Sequence, residues 1–333
     1  MSISQDLQLV FYRLAAKGML PAHWFEPDLP ACGIRAAKEG RLQLEVVSHC
    51  WRYAHFLIYQ LSSLVLFPPQ DVDVTMTVFY CPEDEDTARL LAFFARKQVD
   101  GVSWNWRPLP REQLFRRGIG RNLAALQTQA DWVWFTDCDL MFREACLDTL
   151  ARELQGQQEA LFFPREERCT DLLAEDNPML AGAAGQDAVL DIDATQFVSH
   201  YPSRATGPLQ IAHGDVCRAI GYCRNIPLYQ TPVEQFAKCH EDRAFRWLVG
   251  SQGTPLPIPN VYRIRHISKG RYTGTKGRNT LRTWVRKLQE QIKGRTSNTL
   301  PSIFTRHAQP LPQEDTERTL GKRQASQHET TPV

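Results

Sequence analysis

Trp132-Val133-Trp134-Phe135-Thr136-Asp137-Cys138-Asp139 is an apolar run that stops abruptly at two carboxylates one residue apart. Its β-branched and aromatic residues read as a buried strand. Side chains at i and i+2 of an extended chain point the same way, so both carboxylates are expected at one spot at the strand's carboxyl end. Open α/β sheets bind their ligands at that end. Two carboxylate oxygens suit a hard cation such as magnesium or manganese, and such a cation suits a pyrophosphate. A D-x-D triplet also occurs as a solvated strand end or helix cap, so its surroundings must decide.

Upstream, the pattern alternates between strand and helix. Residues 1–40 form an N-terminal helical extension, with an amphipathic helix carrying Leu7, Val10, Phe11 and Leu14, then a connection through Pro21, Pro27 and Pro30. Leu42, Leu44 and Val46-Val47 mark a first strand, Tyr53 to Leu66 a helix, and Val72 to Tyr80 a second strand. Asp86 to Lys97 reads as helix, Val102 to Trp106 as a third strand and Arg111 to Gln129 as a helix leading into the aspartate-bearing strand. This alternation favours an α/β fold with a mainly parallel central sheet and helices on both faces. Beyond Asp139 the pattern loosens. Ala160 to Phe163 and Gln210 to Ala212 read as strands, Pro164 to Gln186 as a long loop, and Gly214 to Ala219 and Val233 to Val249 as helices. The main domain is expected over 41–295, followed by a disordered polar tail over 296–333.

The 333 residues are 43% apolar and 23% charged, which implies a packed core, and a net charge of +2 gives no reason to expect a nucleic-acid partner. Nine cysteines without a C-x-x-C pair fit reduced thiols in a cytoplasmic protein rather than disulfides or a zinc site. No apolar run is long enough to span a bilayer, so the expectation is a soluble or at most peripheral protein.

Two further segments complete a constellation. Arg117-Gly118-Ile119-Gly120-Arg121-Asn122 opens the helix before the aspartate strand, and His240-Glu241-Asp242-Arg243-Ala244-Phe245-Arg246 follows about a hundred residues later. In order and spacing these resemble glycosyltransferase family two, whose members have the GT-A fold. Gly214 to Tyr222 resembles the family's segment before the Glu-Asp pair, which helps shape the acceptor pocket. The resemblance covers roughly 42–272 and implies a GT-A-like α/β/α sandwich. It also implies an inverting, metal-dependent transfer from a nucleotide-diphospho-sugar, a UDP-sugar foremost, to a glycan or lipid-linked acceptor.

Charge grows on the departing diphosphate in such a transfer, and manganese or magnesium held by Asp139, with Asp137 on the metal or the ribose, would stabilise it. Asp242 or Glu241 would take the acceptor proton, and the resemblance favours Asp242. It also implies that Arg121 and Asn122 line the nucleotide pocket, that His266 is a third metal ligand, and that Lys269 and Arg271 hold the diphosphate. Gly270, Gly274 and Gly277 suggest a loop that closes over the donor. Each residue has a plainer reading: Glu241-Asp242 as an acidic pair favoured by a helix N-terminus, Arg121-Asn122 as a solvated helix face, and His266 as a structural histidine.

The sequence also departs from the family. Its first strand ends Ser48-His49-Cys50-Trp51-Arg52, and Tyr80-Cys81-Pro82 stands where a base-contacting Asp pair is usual, with Glu83, Asp84 and Asp86 just beyond. Ile220-Gly221-Tyr222 replaces the usual Gly-Gly-Phe. These departures keep open a catalytically inactive nucleotide-sugar-binding protein. An aspartyl-phosphate phosphohydrolase fits less well, because Met141 stands where Thr or Val is needed, and a nucleotidyltransferase lacks its glycine-rich first loop. The second D-x-D, Asp191-Ile192-Asp193, reads as surface. Leu281, Trp284, Val285, Leu288 and Ile292, among Arg282, Arg286 and Lys287, suggest a helix over 276–293 that packs on the domain or lies on a membrane.

Overall fold

The computed structural model describes residues 3–26, 28–174, 176–236 and 240–267. Lys269, Arg271, the glycine-bearing loop from 270, the 276–293 helix and the 296–333 tail lie outside them, as does the expected domain boundary at 295. The described residues all belong to one compact unit, Met1–Lys276.

Eleven strands occur among the described residues: β1 Leu42–Cys50, β2 Val72–Tyr80, β3 Val102–Pro108, β4 Trp132–Phe135, β5 Leu140–Phe142, β6 Leu161–Pro164, β7 Glu167–Thr170, β8 Phe197–His200, β9 Gln210–His213, β10 Thr254–Leu256 and β11 Val261–Arg263. The helices are α1 Ile3–Leu14, α2 Ala54–Leu66, α3 Glu85–Ala95, α4 Arg111–Leu114, α5 Arg117–Gln127, α6 Cys146–Glu153, α7 Pro178–Ala183, α8 Gly214–Ile220, α9 Pro227–Gln230 and α10 Glu241–Leu248.

Seven strands form a central sheet in the order β10-β6-β9-β4-β1-β2-β3, and four form a smaller sheet in the order β5-β11-β7-β8. The β4-β1-β2-β3 part is parallel throughout, and β9 is the one antiparallel insertion in the large sheet. The molecule is therefore the mixed α/β structure with a mainly parallel central sheet that the alternation implies. Central parallel strands are covered on both faces, so they read as continuous apolar runs. All four residues of β4 are buried, as is nearly all of β1, whereas β3 at the sheet edge is half-exposed.

Several elements differ from the sequence reading. The helix expected over Arg111 to Gln129 breaks into α4 and α5 at Arg116, which has extended backbone (φ −102°, ψ 84°). The break seats Gly118 against α9, where a Cβ would lie 2.6 Å from the Tyr229 carbonyl oxygen. The long loop after Pro164 contains β7 and α7; α7 starts from an Asn177 cap with Pro178 in its first turn. The helix expected from Val233 begins only at Glu241, because His240 takes left-handed backbone (φ 60°). In α1 the expected apolar face, Leu7, Val10, Phe11 and Leu14, is exposed, while Leu9 and Tyr12 pack on the core beside α9 and α10. No described helix is long and apolar enough to cross a membrane.

Candidate active site

β4 stops at Phe135, and the aspartate triplet is a turn rather than extended strand. Cys138, between the two aspartates, is buried, and the two carboxylates on either side of it meet different partners. The turn is pinned through its backbone. Gln60 Nε2, from the middle of α2, donates to the carbonyls of Asp137 (3.0 Å) and Leu140 (2.8 Å), and the Ile264 N–H donates to the Asp139 carbonyl (2.9 Å). Gln60 is fully buried in a mostly apolar helix, and a buried amide in such a place needs partners.

Asp137 faces α5. Its Oδ1 accepts from Arg117 Nη1 at 2.5 Å and lies 3.6 Å from Arg121 Nη2. Arg117 also reaches the other acidic motif, with Nε 3.2 Å from Glu241 Oε1. One guanidinium thus ties the aspartate turn to the first residue of α10. Glu241 is buried, which makes the ion pair consequential: a buried carboxylate without a cation would be costly. Residue type and motif order alone give Arg117 no role. The signal was its place in the first turn of a helix that has no acidic residue there, where the helix dipole disfavours a cation unless carboxylates converge on it.

Arg121 and Asn122, expected in the nucleotide pocket, make internal contacts here. Arg121 is fully buried and donates to the Tyr222 hydroxyl (2.8 Å), the Gly207 carbonyl (3.0 Å) and the Thr136 carbonyl (3.4 Å). Tyr222 in turn donates to Gln210 Oε1 (2.6 Å), and Gln210 Nε2 donates to the Asp242 carbonyl (3.0 Å). Burial raises the Tyr222 hydroxyl well above its ordinary pKa, so it remains a donor. This chain holds the start of α10 in register with the end of β4, and Phe245 of α10 stacks on the Tyr222 ring at 4.4 Å. Asn122 Oδ1 accepts from the Tyr222 N–H (3.0 Å), securing the turn after α8.

Asp139 faces the smaller sheet. The backbone bond from Ile264 and the strand β11 bring His266 beside it, with Nε2 3.8 Å from Asp139 Oδ2. The histidine ring is held between Phe56 (4.2 Å) and Tyr53 (5.2 Å). A carboxylate and an imidazole at this separation are two candidate donors for a divalent cation, while Asp137 two residues away is paired with Arg117 and Arg121.

Asp242 is more accessible, with its side chain 29% exposed, and its Oδ2 is 3.3 Å from Arg246 Nη1. The acids beyond β2 are engaged otherwise. Asp84 is buried, caps α3 and accepts from the Arg52 N–H and the Thr87 hydroxyl, while Glu83 pairs with Arg111 and Asp86 with Arg89. His49, at the end of β1, is buried against Phe79, and a Cβ at Gly120 would collide with its ring.

A separate group, Glu167, Cys169 and His200, has metal-ligating atoms within 4.8 Å of one another. There Arg263 already fills the cation's place, 2.8 Å from Glu167 Oε1 and 3.8 Å from Cys169 Sγ, and burial pushes the thiol up to about 11. The second D-x-D is surface, as expected: Asp191 pairs with Arg143, and Asp193 caps a short turn at Thr195. The eight described cysteines are all free thiols.

No known family profile and no curated protein matches the chain. Among solved structures, a fragment of TarS from S. aureus is similar with a TM-score of 0.39 and 13% identity, over 68% of this chain and 58% of that one. The mannosyltransferase PcManGT from Pyrobaculum calidifontis, solved with GDP-Man and Mn2+, gives 0.41 and 15% identity, over 87% of this chain and 73% of that one. At that level of likeness, function has to be argued from the site itself.

Proposed function

We propose that this protein is a metal-dependent glycosyltransferase of GT-A type that moves a sugar, with inversion, from a nucleotide-diphospho-sugar to an acceptor hydroxyl. The observation that carries the reading is the bridge of Arg117 between Asp137 and Glu241, which joins two acidic motifs distant in sequence into one site at the carboxyl end of β4. Asp139 and His266, with Asp137 alongside, would hold a manganese or magnesium ion, which would supply charge neutralisation for a departing diphosphate. The chain's own residues divide the remaining work. Asp242 is the accessible acid and takes the proton of the attacking hydroxyl as the anomeric carbon forms its new bond and releases the phosphate oxygen. Glu241 is a positioning residue, fixing Arg117 and through it Asp137. Arg121, Tyr222 and Gln210 keep the two motifs in register, and Lys269 and Arg271 would contact the diphosphate. The donor's base is uridine by resemblance alone, because the acids after β2 are committed to Arg52, Thr87 and surface arginines.

The test is nucleotide release from UDP-, GDP-, dTDP- and CMP-sugars with manganese, magnesium or EDTA. Metal-dependent release from one donor, abolished by Asp139→Asn, is the expected result. Metal-dependent nucleotide binding without release, even when glycan and lipid-linked acceptors are supplied, would favour the inactive binding protein instead. Neither release nor binding would overturn both.

A further inference from the structure

Next to α10, away from the Arg117 bridge, lies a cavity of about 490 Å³ lined by Lys17, Arg204, Arg243 and Arg246 together with Trp247 and Gln252. Among the described residues no carboxylate lines it, though Asp242 pairs with Arg246. Arg243, Arg246 and Trp247 stand at i, i+3 and i+4 on α10 and so present one helix face. Lys17 comes from the end of the N-terminal helical segment, where Gly18 turns the chain with φ 87°. Arg204 comes from the stretch before β9. Three distant parts of the chain thus deliver like charges to one concavity. Packing gives no reason for this: Lys17 and Arg204 are exposed and could point elsewhere, and gathered cations repel one another. Arg246 is fixed by the Ala205 carbonyl (2.6 Å) and Gln252 Oε1 (3.2 Å), so its guanidinium is set before any ligand arrives. The same Arg246 touches Asp242.

We infer that this cavity binds a phosphoryl group carried by the acceptor, delivering the neighbouring hydroxyl to Asp242. The step from anion site to acceptor site rests on the transferase reading. The guanidinium groups of Arg204 and Arg243 and the ammonium of Lys17 match the several acceptor oxygens of a phosphate ester, guanidinium with two parallel bonds, while Arg246, paired with Asp242, adds its remaining donors. The volume exceeds that of phosphate and leaves room for an attached sugar or polyol. The phosphoryl group could belong to a soluble glycan phosphate or to a lipid headgroup, and the chemistry is the same.

The test measures inorganic phosphate binding to the full chain by calorimetry in EDTA, without donor, so that a metal site cannot respond. Saturable binding that weakens at least ten-fold in the Lys17→Glu/Arg204→Glu variant and returns in Lys17→Arg/Arg204→Lys is expected; both positions are exposed, so folding should survive and circular dichroism checks it. Absence of binding, or equal binding in the charge-reversed variant, overturns the site whatever the donor assay shows. Phosphate binding without any donor turnover would leave the anion site and sink its role in transfer. Sedimentation with phosphatidylcholine vesicles containing phosphatidate, lost on charge reversal, assigns the phosphoryl group to a lipid. Phosphate binding without vesicle binding assigns it to a soluble acceptor.

Discussion

His266 Nε2 stands 3.8 Å from Asp139 Oδ2, carried there by β11 and held by the rings of Phe56 and Tyr53. Packing on two aromatic rings alone would suit a structural histidine. The nearby carboxylate is what supports the proposed metal-binding role of the pair. Replacing His266 with Gln, which keeps a polar group of similar reach, should weaken Mn2+ binding by roughly ten-fold or more. Asp139→Asn should weaken it further. Titration of the protein against the spin-resonance signal of free Mn2+ measures both, and undiminished affinity in both variants would remove the metal from this site.

Arg117 supplies a second test because its two carboxylates belong to different motifs. Arg117→Ala leaves Glu241 buried without this cation, a change that costs about 3–5 kcal/mol when a buried pair is broken from one side. The double variant Arg117→Ala/Glu241→Gln removes the charge as well and should recover much of that loss in a denaturant midpoint. Activity should not recover, since Asp137 would still lack its contact with Arg117. A double variant as unstable as Arg117→Ala alone would mean that the Glu241 contact is not what Arg117 stabilises.

How much of this was legible in the sequence depends on the range of the interaction involved. The parallel strands were legible because their signal is local: β2 spans Val72–Tyr80, as its alternation and β-branched content indicate, and β4 begins at Trp132. His266 and the acidic motifs were legible as candidates through residue type and order. Features set by distant contacts were not. The break at Arg116 answers to Tyr229, the late start of α10 to the left-handed His240, and the outward face of α1 to the surface of α9 and α10 that takes Leu9 and Tyr12. The burial of Arg121 was hidden for the same reason. A solvated arginine and one satisfied by a tyrosine and two carbonyls look alike until those groups are placed. Only the unfavourable charge of Arg117 at a helix N-terminus was a local clue left unused.

The assignment of roles within the acid pair can be separated kinetically. Asp242→Asn should lower kcat by roughly 10²–10⁴-fold while donor binding survives, the range lost with a general base. Glu241→Gln should instead raise the donor's KM and lower the melting temperature, because it loosens Arg117 and Asp137 rather than removing the proton acceptor. A pH–rate profile distinguishes them further: the basic requirement should vanish in the Asp242 variant and persist in the Glu241 variant. The reverse pattern would exchange the two roles.

Glu26 offers a test of the fold that is independent of catalysis. It is buried where the N-terminal segment meets the domain, and burial pushes its carboxyl up to about 7 from 4.5, against the opposing pull of Arg224. A carboxyl raised in the folded state keeps its proton there while the unfolded chain releases it. Its contribution to stability is therefore whole below about pH 4.5 and is lost as pH rises through about 7. Glu26→Gln, which cannot ionise, should match the wild type near pH 4.5 and melt higher at pH 8, by roughly 2–4 °C for each kcal/mol the buried charge costs. Scanning calorimetry at the two pH values decides the matter. A constant difference between the proteins would show that Glu26 titrates like an exposed carboxylate, and that the N-terminal segment does not seal it.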